Sequence, residues 1–151
     1  MTFCRLGWRR QALFVEALAL VAFAWAVTRL LPYRWVSPLY GRPRAAEAAA
    51  GESAGAPGRR PFAPDPAVRD VRWALRMVHR RLAWDRSCLA RALAGRIMLR
   101  RRGYSTTLYI GAFRGTASAP GLHAWLLEHG APVTGVGEIP GLATLAVFDG
   151  D

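Results

Sequence analysis

The chain contains no lysine and only two cysteines among its 151 residues. Cys4 and Cys88 lie far apart in different contexts, which argues against a disulfide framework and favours a reducing, cytoplasmic compartment. Arginine alone supplies the basic charge, and the formal net charge is +11. The arginines are scattered between apolar residues, without a zinc-finger, P-loop or aromatic RNA-binding motif, so we expect no nucleic-acid partner. A basic face equally suits an acidic peptide or an anionic membrane surface.

Metal-binding and nucleotide-binding motifs are also missing. The chain has no Cys-x-x-Cys or His-x-x-x-His pair, and its three histidines are not clustered at the spacing of metal ligands. Gly135 and Gly137 form a lone Gly-x-Gly with no helix behind it, which suits a turn better than a phosphate. We therefore expect neither a metal ion nor a cofactor.

The main apolar run, residues 12–27, is interrupted only by Glu16 and has arginines on both sides. It falls short of the roughly 20 clean residues that a membrane-crossing helix needs, and Glu16 would be costly in lipid. Arg29 and Pro32 follow where a secretory signal would carry a small-residue cleavage site. We expect a buried or membrane-surface helix, which leaves peripheral membrane contact open.

Changes in composition predict three parts. Residues 1–40 form an N-terminal apolar helical segment, residues 41–66 a Gly/Pro/Ala-rich linker, and residues 67–151 the main domain. Helical spacing in that domain predicts helices from residue 66 or 67 to 82 and from 87 or 88 to 101, the second capped by Asp85 or Ser87. Strand patterns and a turn at His129–Gly130 predict a sheet from segments 104–113, 122–127, 132–136 and 142–148. Helices followed by an antiparallel sheet make an α+β fold.

Cys88 and His123 are the residues whose placement predicts chemistry. Cys88 stands where the second helix should begin, and a thiol there feels the positive end of the helix dipole and unpaired amide groups. His123 lies one helix and one strand later, on the same strand face as Trp125. A cysteine nucleophile with a histidine base fits this order. His79 and His129 are expected to be solvated surface residues.

The chain resembles the transglutaminase-like leader peptidases of lasso-peptide biosynthesis. The resemblance lies in the N-terminal helix ending Arg29-Leu30-Leu31-Pro32-Tyr33-Arg34, in residues 84–103 with Ser87-Cys88-Leu89-Ala90-Arg91-Ala92-Leu93, in Leu108-Tyr109-Ile110-Gly111 and in His123-Ala124-Trp125. It implies a transglutaminase-like, papain-like core with N-terminal helices packed on the antiparallel sheet. It also implies a cysteine peptidase in which Cys88 and His123 are catalytic. Trp125 and Trp84 are candidates for the substrate groove, although we expect both to be core aromatics.

The third catalytic residue that this family commonly has is not evident. The family places an acid about a dozen positions beyond the histidine, where this chain reads Val133-Thr134-Gly135-Val136. Glu138 is the nearest acid downstream. Glu128, Asp85 or a backbone carbonyl could orient the imidazole instead, because the third group mainly fixes the tautomer and direction of the ring.

The resemblance implies partners as well. Such peptidases cleave the leader from a precursor peptide together with a small leader-recognition protein and an ATP-using, asparagine-synthetase-like cyclase. Two alternatives remain open: a non-catalytic scaffold of the same fold that binds peptide or membrane, and an acyl transferase that uses the same nucleophile.

Overall fold

The computed structural model describes residues 7–44, 65–81, 87–113, 121–135 and 143–150. Within them, four helices accompany one five-stranded antiparallel sheet. The helices are α1 (Trp8–Leu30), α2 (Tyr33–Tyr40), α3 (Pro66–Arg81) and α4 (Cys88–Arg100). The strands are β1 (Arg42–Arg44), β2 (Thr107–Phe113), β3 (Gly121–Glu128), β4 (Ala131–Thr134) and β5 (Ala143–Asp149), in the sheet order β1-β5-β2-β3-β4. The predicted α+β fold is confirmed.

Helix α4 is the centre of the fold. It packs against α1, α3 and β3, and nine of its residues are buried, from Ala90 to Leu99 with the exception of Ile97. A Cβ on Gly95 would lie 3.0 Å from Leu75 Cδ1 and 3.1 Å from Leu126 Cδ2, so this glycine lets the helix approach both neighbours closely. Cys88, the first residue of α4, therefore lies at the end of a helix that packs against the sheet.

Helix α1 packs on the domain along one face. Ala17, Val21 and Ala24 repeat at helical spacing and are fully buried against α3 and α4. The Glu16 carboxylate accepts hydrogen bonds from Arg102, just beyond α4, at 2.6 and 3.2 Å. By length and composition α1 could also cross a membrane, a test that core helices of soluble proteins pass too. Peripheral membrane contact, which the sequence left open, is not tested by these contacts.

The predicted linker contains a strand. Arg42–Arg44 form β1, which pairs antiparallel with β5, whereas residues 41–66 were all expected to be linker. Local composition did not indicate this strand, because its backbone pairing with β5 is a long-range contact. Gly41 makes the connection possible with a φ of 95°, and a Cβ there would collide with the Arg96 guanidinium and Asp149 O. Residues 45–64 lie outside the described residues.

Strands β3 and β4 form the predicted hairpin. Glu128 pairs with Ala131 across a two-residue turn in which His129 has a φ of 44° and Gly130 a φ of 81°, signs that match the twist of a tight hairpin. Ala124 belongs to the core cluster shared with the helices, whereas Trp125 belongs to a second cluster on the opposite face of the sheet. The predicted alternation along β3 is therefore confirmed.

Candidate active site

The start of α4 is fixed by a side-chain cap. Ser87 Oγ accepts a hydrogen bond from the Ala90 N–H at 3.1 Å, as expected for one of the two predicted caps. Cys88 is consequently the first helical residue. The N–H groups of Cys88 and Leu89 have no acceptor among the described residues, as is usual in a first helical turn. Asp85 and Trp84 lie outside the described residues.

The Cys88 sulfur touches β3 on both sides of His123. Sγ accepts a hydrogen bond from the Ala124 N–H at 3.4 Å and lies 4.0 Å from Leu122 O. These backbone groups lie beyond the last pair that β4 makes with β3, Leu126 with Thr134. The thiol of this half-buried cysteine thus fills a stretch of strand edge that β4 does not cover.

The Cys88 and His123 side chains make no direct hydrogen bond to each other. In free enzymes the catalytic hydrogen bonds are often long and tighten only when substrate binds. The Cys88 sulfur lies against the backbone on either side of His123, whereas the imidazole stacks with Trp125 on the face of the sheet opposite the helices.

The His123 ring is held by a stack of aromatic side chains. Only 5% of the residue is exposed, and its ring lies 6.2 Å from the Trp125 ring at an angle of 17°. Tyr109 stacks on Trp125 at 5.4 Å and 9°. Trp125 is itself 5% exposed, so it serves the site as a buried support for the imidazole.

The backbone carbonyl of Gly135 orients the imidazole. His123 Nε2 lies 2.8 Å from Gly135 O. A carbonyl oxygen can only accept, so Nε2 carries the proton and donates it to this bond. In the neutral ring the basic nitrogen is then Nδ1. Gly135 stands twelve positions after His123, in the neighbourhood where the resemblance places an acid.

Gly135 itself cannot be replaced without disturbance. Its φ is 72°, and an added Cβ would lie 2.7 Å from Ala124 O and 2.9 Å from His123 Nε2. Only a residue without a side chain lets the chain turn this closely over the imidazole. The Gly-x-Gly at residues 135 and 137 predicts a turn, and this pattern by itself does not indicate the contact that Gly135 O makes with His123. The spacing from His123 was the signal that could have found it.

The other candidates for the third group do not contact His123 in the described part of the chain. Glu128 is buried and bonds the Nδ1 atom of the exposed His129 at 2.6 Å. Glu138 and Asp85 lie outside the described residues. His79 is exposed on α3, as expected of a solvated residue. Of the alternatives considered, a backbone carbonyl is the group that the structure places on the ring.

A protein-family model described as the transglutaminase-like superfamily matches residues 17–147. The match begins inside α1 and ends within β5, so it includes the N-terminal helix as well as the strands and helix of the site. No curated protein and no solved structure matches the chain significantly.

Proposed function

Because the chain belongs to the transglutaminase-like superfamily, whose members are often cysteine peptidases or acyltransferases, we propose that it is a cysteine peptidase with Cys88 as nucleophile and His123 as base. The observation that carries the proposal is the position of Cys88 Sγ, between the backbone groups of Leu122 and Ala124. A sulfur placed there lies beside a histidine whose tautomer is fixed by Gly135 O. A nucleophile, a base and a group that orients the base are the parts that covalent catalysis requires.

In the first half of the reaction, His123 Nδ1 takes the proton of the Cys88 thiol and the thiolate attacks the scissile carbonyl carbon. The carbonyl π electrons move to oxygen, where unpaired N–H groups at the start of α4 stabilise the negative charge. When the tetrahedral intermediate collapses, the C–N bond breaks and the imidazolium gives its proton to the leaving amine. The product is a thioester on Cys88.

In the second half, the neutral imidazole takes a proton from water while the water oxygen attacks the thioester carbon. Collapse of this intermediate breaks the C–S bond, the thiolate recovers its proton from the imidazolium, and a free carboxylic acid leaves. Gly135 O keeps the Nε2–H in place throughout, because both the neutral and the charged ring donate from that nitrogen.

The substrate that we propose is the precursor peptide of a lasso peptide, cleaved at the junction between leader and core. This finer assignment rests on the motif resemblance around Cys88 and His123. We propose that a separate leader-recognition protein presents the precursor and that an asparagine-synthetase-like cyclase uses the released core. Delivery by such a partner would hold the scissile bond of the precursor close to Cys88, which raises the rate of the attack.

The test is reconstitution with a lasso precursor peptide and the recognition protein, followed by mass spectrometry. Cys88→Ala should abolish cleavage, and His123→Ala should lower the rate by about 10²- to 10⁴-fold, the usual contribution of a general acid–base group. His129→Ala is the matched control, because this exposed histidine of the β3–β4 turn should leave the rate unchanged. Full cleavage by Cys88→Ala refutes the proposal.

Two rival functions give different results in the same system. A non-catalytic scaffold would bind the peptide without cleaving it, and its thiol would react with iodoacetamide no faster than a free thiol in a Cys4→Ala background. An acyl transferase would yield an amine-linked peptide in place of the free acid when an amine is added. The mass of the product distinguishes this transfer from hydrolysis.

A further inference from the structure

A cavity of about 140 Å³ lies between α3 and β4, next to the residue that orients His123. Arg72, Arg76 and His79 line it from α3, and Arg91 reaches it from α4. Gly135 belongs to the same wall, so the cavity and the imidazole share one backbone unit. Because a water molecule occupies about 30 Å³ of liquid, the space suits a small polar group with its attached carbons.

The charged residues that line this cavity are all basic. None of the nine residues that line it is acidic, and three of them are arginines. Within the described part of the chain, neither Arg72 nor Arg76 takes part in an ion pair. Burial and, second to it, the charge of Arg76 lower the pKa of Arg72. Guanidinium groups held together in this way are stabilised by an anion that lies between them.

A neutral polar group on β4 adds a second observation. Thr134 lines the cavity, and its Oγ1 atom is buried with no hydrogen-bond partner among the described residues. A buried hydroxyl without a partner costs free energy, and a ligand oxygen would satisfy it. Arginine side chains and a hydroxyl together supply the donors that recognise an oxyanion.

We propose that this cavity binds a carboxylate of the peptide substrate, held by Arg72, Arg76 and the Thr134 hydroxyl. The assignment rests on the proposed peptidase function, since the anionic groups of a peptide are carboxylates. Its place beside Gly135 means that an occupied cavity would set the peptide in register with Cys88 and His123. The site would thus favour precursors with an acidic residue at one fixed distance from the scissile bond.

The test measures binding without cleavage. Precursor peptide labelled with a fluorophore is titrated with full-length Cys88→Ala protein and followed by anisotropy. In that background, Arg72→Gln and Arg76→Gln should each weaken binding about tenfold, as expected for loss of a charge-assisted contact. Arg80→Gln is the matched control: it removes the same charge from an exposed position of α3 that does not line the cavity. Equal weakening by Arg80→Gln would overturn the proposal, because general electrostatic attraction would then explain it.

The carboxylate is identified by replacing each Asp and Glu of the precursor in turn with Asn or Gln. One such peptide should bind about tenfold more weakly and should lose its sensitivity to Arg76→Gln, since the two changes remove the same contact. If no peptide shows this coupling, the assignment is wrong, even if inorganic phosphate stabilises the protein through Arg76. Coupling without any Cys88-dependent cleavage would leave the cavity assignment standing and refute only the peptidase function.

Discussion

Replacing Gly135 with alanine isolates the role of its carbonyl in the site. The residue has a φ of 72°, and the new Cβ would lie 2.9 Å from His123 Nε2 and 2.7 Å from Ala124 O. Both contacts are closer than a carbon atom tolerates, so the backbone at Gly135 must shift. The shift would break the 2.8 Å bond that holds the imidazole.

The size of the effect follows from the contact that is lost. A hydrogen bond to a charged group contributes about 1.5 to 3 kcal/mol, and the ring is charged in the transition state. At about 1.4 kcal/mol per factor of ten in rate, kcat should fall by roughly 10- to 150-fold. The left-handed backbone adds a loss of folding free energy of about 1 to 2 kcal/mol.

Gly130→Ala separates the two effects. Gly130 also has a positive φ, of 81°, but an added Cβ would meet nothing within 4 Å. It should therefore lose a similar amount of stability in urea denaturation and keep the wild-type kcat for precursor cleavage. If Gly135→Ala retains wild-type kcat, or if Gly130→Ala loses as much, the carbonyl of Gly135 is not what positions His123.

Two further predictions concern the support of the site. Gly111→Ala should lower the free energy of unfolding by about 1 to 3 kcal/mol, because a Cβ there would lie 2.9 Å from the Trp125 ring and 2.8 Å from a backbone oxygen of β5; urea denaturation that matches the wild type would contradict this. Glu16→Gln should cost about 1 kcal/mol or less by weakening the bonds to Arg102 that tie α1 to the domain. That loss should shrink at high salt, and a loss that does not depend on salt would show that the ion pair is not its cause.

The sequence was sufficient where local rules decide the structure. Ser87 could be expected to cap α4 because its hydroxyl competes for the first N–H groups of a helix, and the cap bond to Ala90 is present. The alternation around His123 was readable because strand side chains point to opposite faces in turn. These two rules placed Cys88 at the start of α4 and His123 on the face of β3 that carries Trp125.

Long-range contacts could not be predicted from the same rules. β1 exists because β5 lies beside it, and nothing in Arg42–Arg44 has a high strand propensity. Arg91 and Arg96 are 8% and 5% exposed in α4, although arginines are expected at a helix surface. Arg96 is accommodated because its Nη1 donates to Phe148 O at 3.2 Å, a partner 52 residues away. Such pairs are visible only once the chain is folded.

The sequence leaves a backbone carbonyl among several candidates for the group that orients His123, without indicating which carbonyl it is. Every residue has a carbonyl, so the sequence does not mark the one that acts, and the twelve-residue spacing from His123 to Gly135 is the only sign that it offers. A carbonyl in place of the family's acid has a chemical consequence. The neutral carbonyl orients the imidazole without adding a negative charge beside it. A carboxylate would do both, so the imidazolium formed at this site lacks the neighbouring negative charge that an acid would give it.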